Sequence, residues 1–406
     1  MVGTSPKQIK PKIYINNCLV DAVEIGGSFT YLGRSFDYGM TNANHKVSVR
    51  DKFTSIMEII NNLPLHPKNK MKIYHRYLLP KLSWDLTVSD LGITWVKQNL
   101  DNRAAQYFRR WLELPISCNL SIAQLTKQEF GLGLVLVSVR YTQCQATLRN
   151  ILRNSKNADI NHIHEETAAA NIQYDIYKSS KDAIKTLRSL NKDRIENKLT
   201  SQKLIISSVW QFSSPKLSKY WSKVVESMPR NIYNFCIRYL NNALPNGTNA
   251  FRWKTREDSF CTQCQQAESL QHVVSGCPSA LREGRYNWRH DSILLAMASA
   301  FSSVAGSKVY CDIATHFLKP EVITGTTSRP DLVVEANDKL LVVELTAGFE
   351  TNISKNELRK QNRYEDLLHN LKEDYTSVQF CNISMGALGV FGRDSECLIS
   401  RFAEFG

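Results

Sequence analysis

The period of apolar and polar positions changes along the chain. Near the N-terminus it is two: Ile13, Ile15, Leu19, Val20 and Val23 flank the turn residues Asn16-Asn17, and Phe29-Thr30-Tyr31-Leu32-Gly33 follows. That alternation predicts short strands before residue 35. Helical spacing then takes over. Val49, Phe53, Ile56, Ile59, Ile60 and Leu63 predict a helix over 45–63, and the same period runs through Lys68–Leu79 and Ile93–Leu112, with Pro64, Pro67, Pro80 and Pro115 marking boundaries. Two further helices are predicted over 121–154, broken at Gly131-Leu132-Gly133. From Asn154 to Lys203 helix formers persist while apolar residues thin out, which predicts a mobile helical linker. A compact unit resumes near Leu204 and runs through Trp210, Trp221 and Tyr233-Asn234-Phe235 to Trp253.

Period two returns late in the chain. Pro330-Asp331-Leu332-Val333-Val334-Glu335-Ala336 and Lys339-Leu340-Leu341-Val342-Val343-Glu344-Leu345-Thr346 are apolar runs separated by Asn337-Asp338, a pair that tolerates the positive φ of a tight hairpin. If Ala336 pairs with Lys339, Asp331 falls opposite Glu344. A helix is then predicted from Asn352 to Asp374, with Tyr364, Leu367, Leu368 and Leu371 facing inward and Lys360 on the same face one turn earlier. The predicted fold class is α+β multidomain: short strands then a helical bundle at 1–150, a helical linker at 151–203, a helical unit at 204–260, a small zinc knuckle at 261–277 and an α/β domain at 278–406.

Composition narrows the partners. The 406 residues carry a formal charge of +13 and a pI near 9.2, with an ordinary 43% hydrophobic content. Such a surface favours a polyanion and disfavours acidic small substrates. The N-terminus has no apolar leader-like run, and Leu132–Val139 and Ile293–Phe301 are too short or interrupted to span a bilayer, so no membrane partner is expected. Of the ten cysteines, those outside residues 261–277 are unpatterned, which predicts a reducing, intracellular compartment, and the nucleus if the partner is DNA.

Cys261, Cys264, His272 and Cys277 read C-x2-C-x7-H-x4-C, a donor set and spacing suited to a structural zinc ion with no open ligand position. Arg282, Arg285, Trp288, Arg289 and His290 follow directly. Cations interleaved with rings suit a phosphate backbone and stacked bases, although Trp288 could equally cap the core of a helix over Asp291–Phe301.

In the predicted hairpin register two carboxylates would lie about 5 Å apart on one face. They repel unless neutralised, and a hard divalent cation, magnesium, does so through oxygen ligands. Lys360 could reach them to orient water or stabilise a phosphate, with Arg363 beside it; the bland alternative is that both snorkel from an amphipathic helix.

These residues resemble the C-terminal portion of the polyprotein of non-LTR retrotransposons that carry a restriction-like endonuclease. Phe29–Gly33 and the helices to about 150 are similar to its thumb, Asn241-Asn242-Ala243-Leu244-Pro245 to its linker motif, Cys261–Cys277 to its CCHC knuckle, and Arg289-His290-Asp291 to its short basic motif. The resemblance implies a PD-(D/E)xK nuclease with Asp331 and Glu344 as magnesium ligands. The family's displaced K-x-x-K-Y pattern reads here Lys360-Gln361-Asn362-Arg363-Tyr364, with arginine in place of the second lysine. Glu350 and Tyr364 are accessory candidates. A DNA target is implied, with the element's RNA as a second partner. No segment within the chain reads like a polymerase's paired aspartates, so no DNA synthesis is expected. The competing expectation is a non-catalytic DNA- or RNA-binding remnant with a decayed nuclease fold.

Overall fold

The computed structural model describes residues 12–20, 27–37, 39, 41–202, 204–313, 317–325, 329–351, 359–360 and 362–397. The chain divides into two compact units, one of residues 1–111 with 135–191, the other of 112–134 with 192–406.

In the first unit, two antiparallel hairpins, β1 (Ile13–Ile15) with β2 (Cys18–Val20) and β3 (Ser28–Tyr31) with β4 (Arg34–Asp37), precede a helical bundle. Asn16 and Asn17 take positive φ in the first turn, as their sequence position predicts. Helix α1 (Ala43–Asn62) buries Val49, Phe53, Ile56, Met57 and Ile60, while Ile59, predicted on the same stripe, faces solvent. The predicted break at Pro80 does not occur. The chain stays helical from α2 (Pro67–Ile73) through a π-turn at Tyr74–Leu78 into α3 (Leu79–Val88), where Pro80 sits in the first turn. A π-turn shifts the hydrogen-bonding register there, so the missing proline N–H is tolerated. Beyond α4 (Ile93–Val96) and α5 (Asn102–Leu112), α7 (Val137–Arg153) packs against α8 (Ala158–Glu166) and α9 (Ala168–Asp175). The stretch read as a linker is pinned there. Arg149, buried, donates to both Asp175 oxygens (3.1 and 2.8 Å), to Thr167 Oγ1 at 2.6 Å and to the His164 carbonyl at 2.8 Å. Helix α10 (Ser180–Ser201) follows.

The second unit begins with the short helix α6 (Ser121–Gln124) and a 3-10 turn at Lys127–Glu129. Gly131 returns so close to this turn that a Cβ would lie 2.1 Å from the Leu125 carbonyl oxygen, which only glycine permits. Helices α11 (Ile205–Phe212), α12 (Ser218–Ser227), α13 (Arg230–Leu240) and α14 (Gly247–Arg252) lead to the cysteine cluster, and α15 (Pro278–Arg282) and α16 (Asn287–Ser302) leave it. The Asn241–Pro245 motif is the joint before α14: Asn249 Nδ2 donates to the carbonyls of Asn242 and Leu244 at 2.8 Å each.

The sheet has the order β5 (Lys308–Cys311), β6 (Leu332–Ala336), β7 (Lys339–Gly348), β8 (Ser377–Gly386), the last pair parallel and the others antiparallel. Strands β5 and β8 are absent from the sequence reading. Val and Leu runs in β6 and β7 are buried on both faces, as a sheet between two helical layers requires. Leu332, Val334, Leu341, Val343 and Leu345 pack with Leu294, Ala298 and Phe301 of α16. Val333, Leu340 and Val342 pack with Tyr364, Leu367 and Leu371, the latter two in α18 (Glu365–Leu371), α17 being Glu321–Thr324. The predicted start of that helix, 352–358, lies outside the described residues. One cysteine expectation is corrected: Cys381 on β8 and Cys397 are 16 positions apart and form a disulfide. No helix among the described residues is long and apolar enough to cross a membrane.

Candidate functional site

Cys261, Cys264, His272 and Cys277 bring their ligand atoms within 4.8 Å of one another. The fold makes this cluster with little chain. Cys261 N donates to the Gln266 carbonyl and Gln265 N to the Cys261 carbonyl, with Gln265 at positive φ, so both sulfurs of the C-x-x-C leave one tight turn. His272 opens a π-turn (His272–Gly276), and Cys277 precedes Pro278 at the first position of α15. The Gln263 amide and then the His272 imidazole bring the Cys261 thiol down to about 6, so it is thiolate at neutral pH. Three sulfurs and an imidazole at this separation are a donor set that can hold zinc.

The five basic and aromatic positions after the cluster separate. Arg282 reaches Ser279 Oγ at 3.5 Å, Arg285 pairs with Glu283, and Trp288 is 76% exposed, so Trp288 does not cap the helix core. Arg289 and His290 turn inward. Arg289 donates to the Val274 carbonyl at 3.2 Å, inside the π-turn, and Tyr286 donates to the His272 and Val273 carbonyls at the same distance. The start of α16 is thereby tied to the cysteine cluster. His290 Nε2 lies 3.4 Å from Asp331 Oδ2, and its Nδ1 is 3.1 Å from Asp291.

The hairpin takes the register that its turn predicts. Asn337 and Asp338 have φ of 49° and 60°, Ala336 opposes Lys339, and Leu332 opposes Val343. Asp331, one residue before β6, meets Glu344: the Asp331 amide donates to Glu344 Oε2 at 3.1 Å, and Leu345 N donates to Asp331 Oδ2 at 2.7 Å. Lys360 Nζ lies 3.1 Å from Glu344 Oε1 and 3.7 Å from Asp331 Oδ2, and donates to the Leu345 carbonyl. It does not merely snorkel. The two acids are driven apart. Burial raises Asp331, but the His290 hydrogen bond and the Lys360 charge outweigh it and hold the carboxyl below its ordinary value. Burial and the neighbouring Asp331 charge raise Glu344 despite Lys360. Burial lowers His290, but Asp331 outweighs it and leaves the imidazole raised.

Tyr364 is fully buried beside this group and donates to the Arg329 carbonyl at 2.8 Å, which fixes the backbone entering Asp331. Burial and then the Glu344 charge raise its hydroxyl, so it stays protonated. Arg363 is exposed, with its guanidinium 5.4 Å from the Tyr364 ring. Among the described residues, Glu350 makes no contact with the pair: it is 2% exposed, accepts from Tyr239 Oη at 2.7 Å, and is raised by burial.

An ammonium already sits between two carboxylates, which shows that the oxygens converge on a position suited to a cation. Asp331 and Glu344 could hold magnesium there. The contribution of His290 to this centre is missing from the sequence reading, which gave it to nucleic acid. A signal existed: His290 is one turn before Leu294 on the stripe Leu294, Ala298, Phe301 that α16 buries against the sheet.

No known family model matches the chain. It is 20% identical over 309 residues, 69% of its length, to the retrovirus-related Pol polyprotein from type-2 retrotransposable element R2DM of Drosophila melanogaster, and that match covers 26% of the fly polyprotein. The chain thus spans about a quarter of that relative's length. The similarity supports a retrotransposon-derived protein.

Proposed function

We propose that this chain is a nucleic-acid-binding fragment of a non-LTR retrotransposon polyprotein whose C-terminal sheet is a magnesium-dependent DNA endonuclease of the PD-(D/E)xK type. The observation that carries it is the convergence of Asp331, Glu344 and Lys360, from a hairpin and a separate segment, on one buried point. Asp331 and Glu344 would hold the metal, which when bound would polarise a phosphodiester and lower the pKa of a coordinated water. Lys360 offsets the pair's charge and is placed to stabilise charge developing on phosphate. His290 orients Asp331, and Tyr364 orients the turn before it. Zinc at Cys261, Cys264, His272 and Cys277 has a folding role. Nuclear localisation follows from a DNA target.

The second reading, a binding remnant without catalysis, draws on the same centre: Lys360 and His290 already neutralise the acids, and Arg363 replaces the second lysine of the family pattern. A nicking assay on supercoiled plasmid separates them. Magnesium should support nicking, EDTA should stop it, and Asp331→Ala should abolish it while DNA binding is kept or slightly tightened, since a negative charge near phosphate is lost. Nicking that survives Asp331→Ala removes the metal-site assignment; salt-sensitive DNA retention with no nicking by the parent protein favours the remnant.

A further inference from the structure

A second basic and aromatic segment precedes the cysteine cluster. Phe251-Arg252-Trp253-Lys254 ends α14, and its rings and cations alternate. The helix stops because Lys254 takes a positive φ of 59° and Thr255 N donates back to the Ala250 carbonyl, a left-handed helix terminus. This turn leaves Phe251, Arg252 and Lys254 exposed at the helix end, with Trp253 half-buried between them. Phe251 is 53% exposed, a large ring left in water. Arg252 and Lys254 are exposed and enter no ion pair among the described residues, whereas Arg256 is consumed by Asp258 and Glu268 at 3.0 Å each.

Two cavities meet at Arg252. One, about 620 Å³, is an open depression lined by Phe251, Arg252, Lys254, Thr255, Arg256 and Glu257. The other, about 420 Å³, is lined by Arg252 and Trp253 together with Cys118, Asn119 and Asn241. Both fall in the size range of small-ligand sites. With Arg256 neutralised, two free cations face one carboxylate, Glu257, so the rim is net positive. The guanidinium of Arg252 lies 6.0 Å from the Trp253 ring. A flat exposed ring, cations spaced along the backbone and amide groups lining the adjoining cavity form the combination that holds an unpaired base and its phosphate, because stacking tolerates any base and charge binds the chain. A duplex offers no free base face to Phe251.

We infer that Phe251, Arg252, Trp253 and Lys254 form a binding site for single-stranded nucleic acid, separate from the carboxylate centre. The site stands whether or not Asp331 and Glu344 cut DNA.

The test is fluorescence anisotropy of the full chain with labelled 12-mers of dT and of U, with zinc present and magnesium absent. Phe251→Ala and Arg252→Glu change exposed side chains, and unchanged zinc content at the adjacent cluster verifies their fold. Each should weaken binding by roughly tenfold, the scale of one lost stacked base, and Arg252→Glu should also flatten the salt dependence. Trp288→Ala, at an exposed aromatic position on the far side of the cluster in sequence, should leave affinity within about twofold. Equal losses on dT and U identify a site indifferent to the sugar; a loss on one alone identifies its strand type. Parent-like affinity of both variants for both oligomers overturns the site, as does an equal loss on a 12-base-pair duplex, which would make the segment a general phosphate contact.

Discussion

The two units divide charge and chemistry between them. The first carries 24 Lys and Arg against 13 Asp and Glu, the second 27 against 25, so nearly all of the chain's excess positive charge belongs to the unit that lacks both the cysteine cluster and the carboxylate centre. The second unit ties several of its cations to carboxylates: Lys216 to Glu396, Arg256 to Glu268, Lys360 to Glu344. In the second unit the opposed shifts of Asp331 and Glu344 are set locally, by His290 and Lys360 and by the repulsion between the two acids. An unbalanced unit supplies long-range attraction but no directed site. Damage to one unit should therefore leave the other's property standing.

Zinc removal should have the largest effect. Free energies of structural zinc sites are folding free energies, on the order of 10 kcal/mol in small domains. The cluster grips Tyr286 and Arg289 at the start of α16, whose next residue, His290, contacts Asp331. Cys261→Ser with Cys264→Ser should abolish zinc binding measured by elemental analysis, and hydrogen exchange should rise over 261–302 while amides of α1 and α7 stay protected. Unchanged zinc stoichiometry would dismiss the cluster as a metal site; equal loss of protection in α1 would end the case for two independent units.

The reverse experiment breaks the first unit. Arg149→Ala leaves Asp175 and the His164 carbonyl without their buried donor, a loss of about 3 kcal/mol. Asp175 is raised by burial but lowered more by Arg149 and His164, so it stands below its ordinary value when folded. Its contribution is therefore complete above the unfolded pKa, about 4, and is lost as pH falls through the folded value. Thermal unfolding of the first unit should shift downward below pH 4, and Asp175→Asn should flatten that shift. A pH profile unmoved by Asp175→Asn would assign acid lability elsewhere.

The sequence made the hairpin legible because two short-range rules agree there: Asn337-Asp338 dictates the turn, and period-two alternation dictates the faces, which together fix Asp331 against Glu344. Lys360 was legible from its spacing to Tyr364. What escaped was long-range. His290 reaches Asp331 across 41 positions, and its place depends on how α16 docks, although the stripe through Leu294 pointed that way. Strand β8 escaped because Ser377–Gly386 mixes polar residues into its run, Asn382 and Ser384 serving Asp394 rather than a core. The Cys381–Cys397 bond follows from strand placement, not spacing. Pro80 misled because a π-turn absorbs it.

The smallest expected effect tests the charge division directly. Lys46 lies 5.9 Å from the Trp95 ring and Arg103 makes a 3.5 Å contact with Thr54, so neither is tied to a carboxylate in these contacts. If the first unit supplies the attraction for duplex DNA, each cation that meets a phosphate releases counterions, and the slope of log K against log salt should become shallower by about 0.9 for each one removed. Lys46→Ala with Arg103→Ala should then lower that slope by nearly two if both meet phosphate, with only a modest loss of affinity at high salt. Lys216→Ala removes a cation of the second unit that is 2.9 Å from Glu396 and already neutralised, and should leave the slope unchanged. Equal slopes for all three proteins would mean that the surplus charge of the first unit is a solvated surface, and would move duplex binding to the second unit.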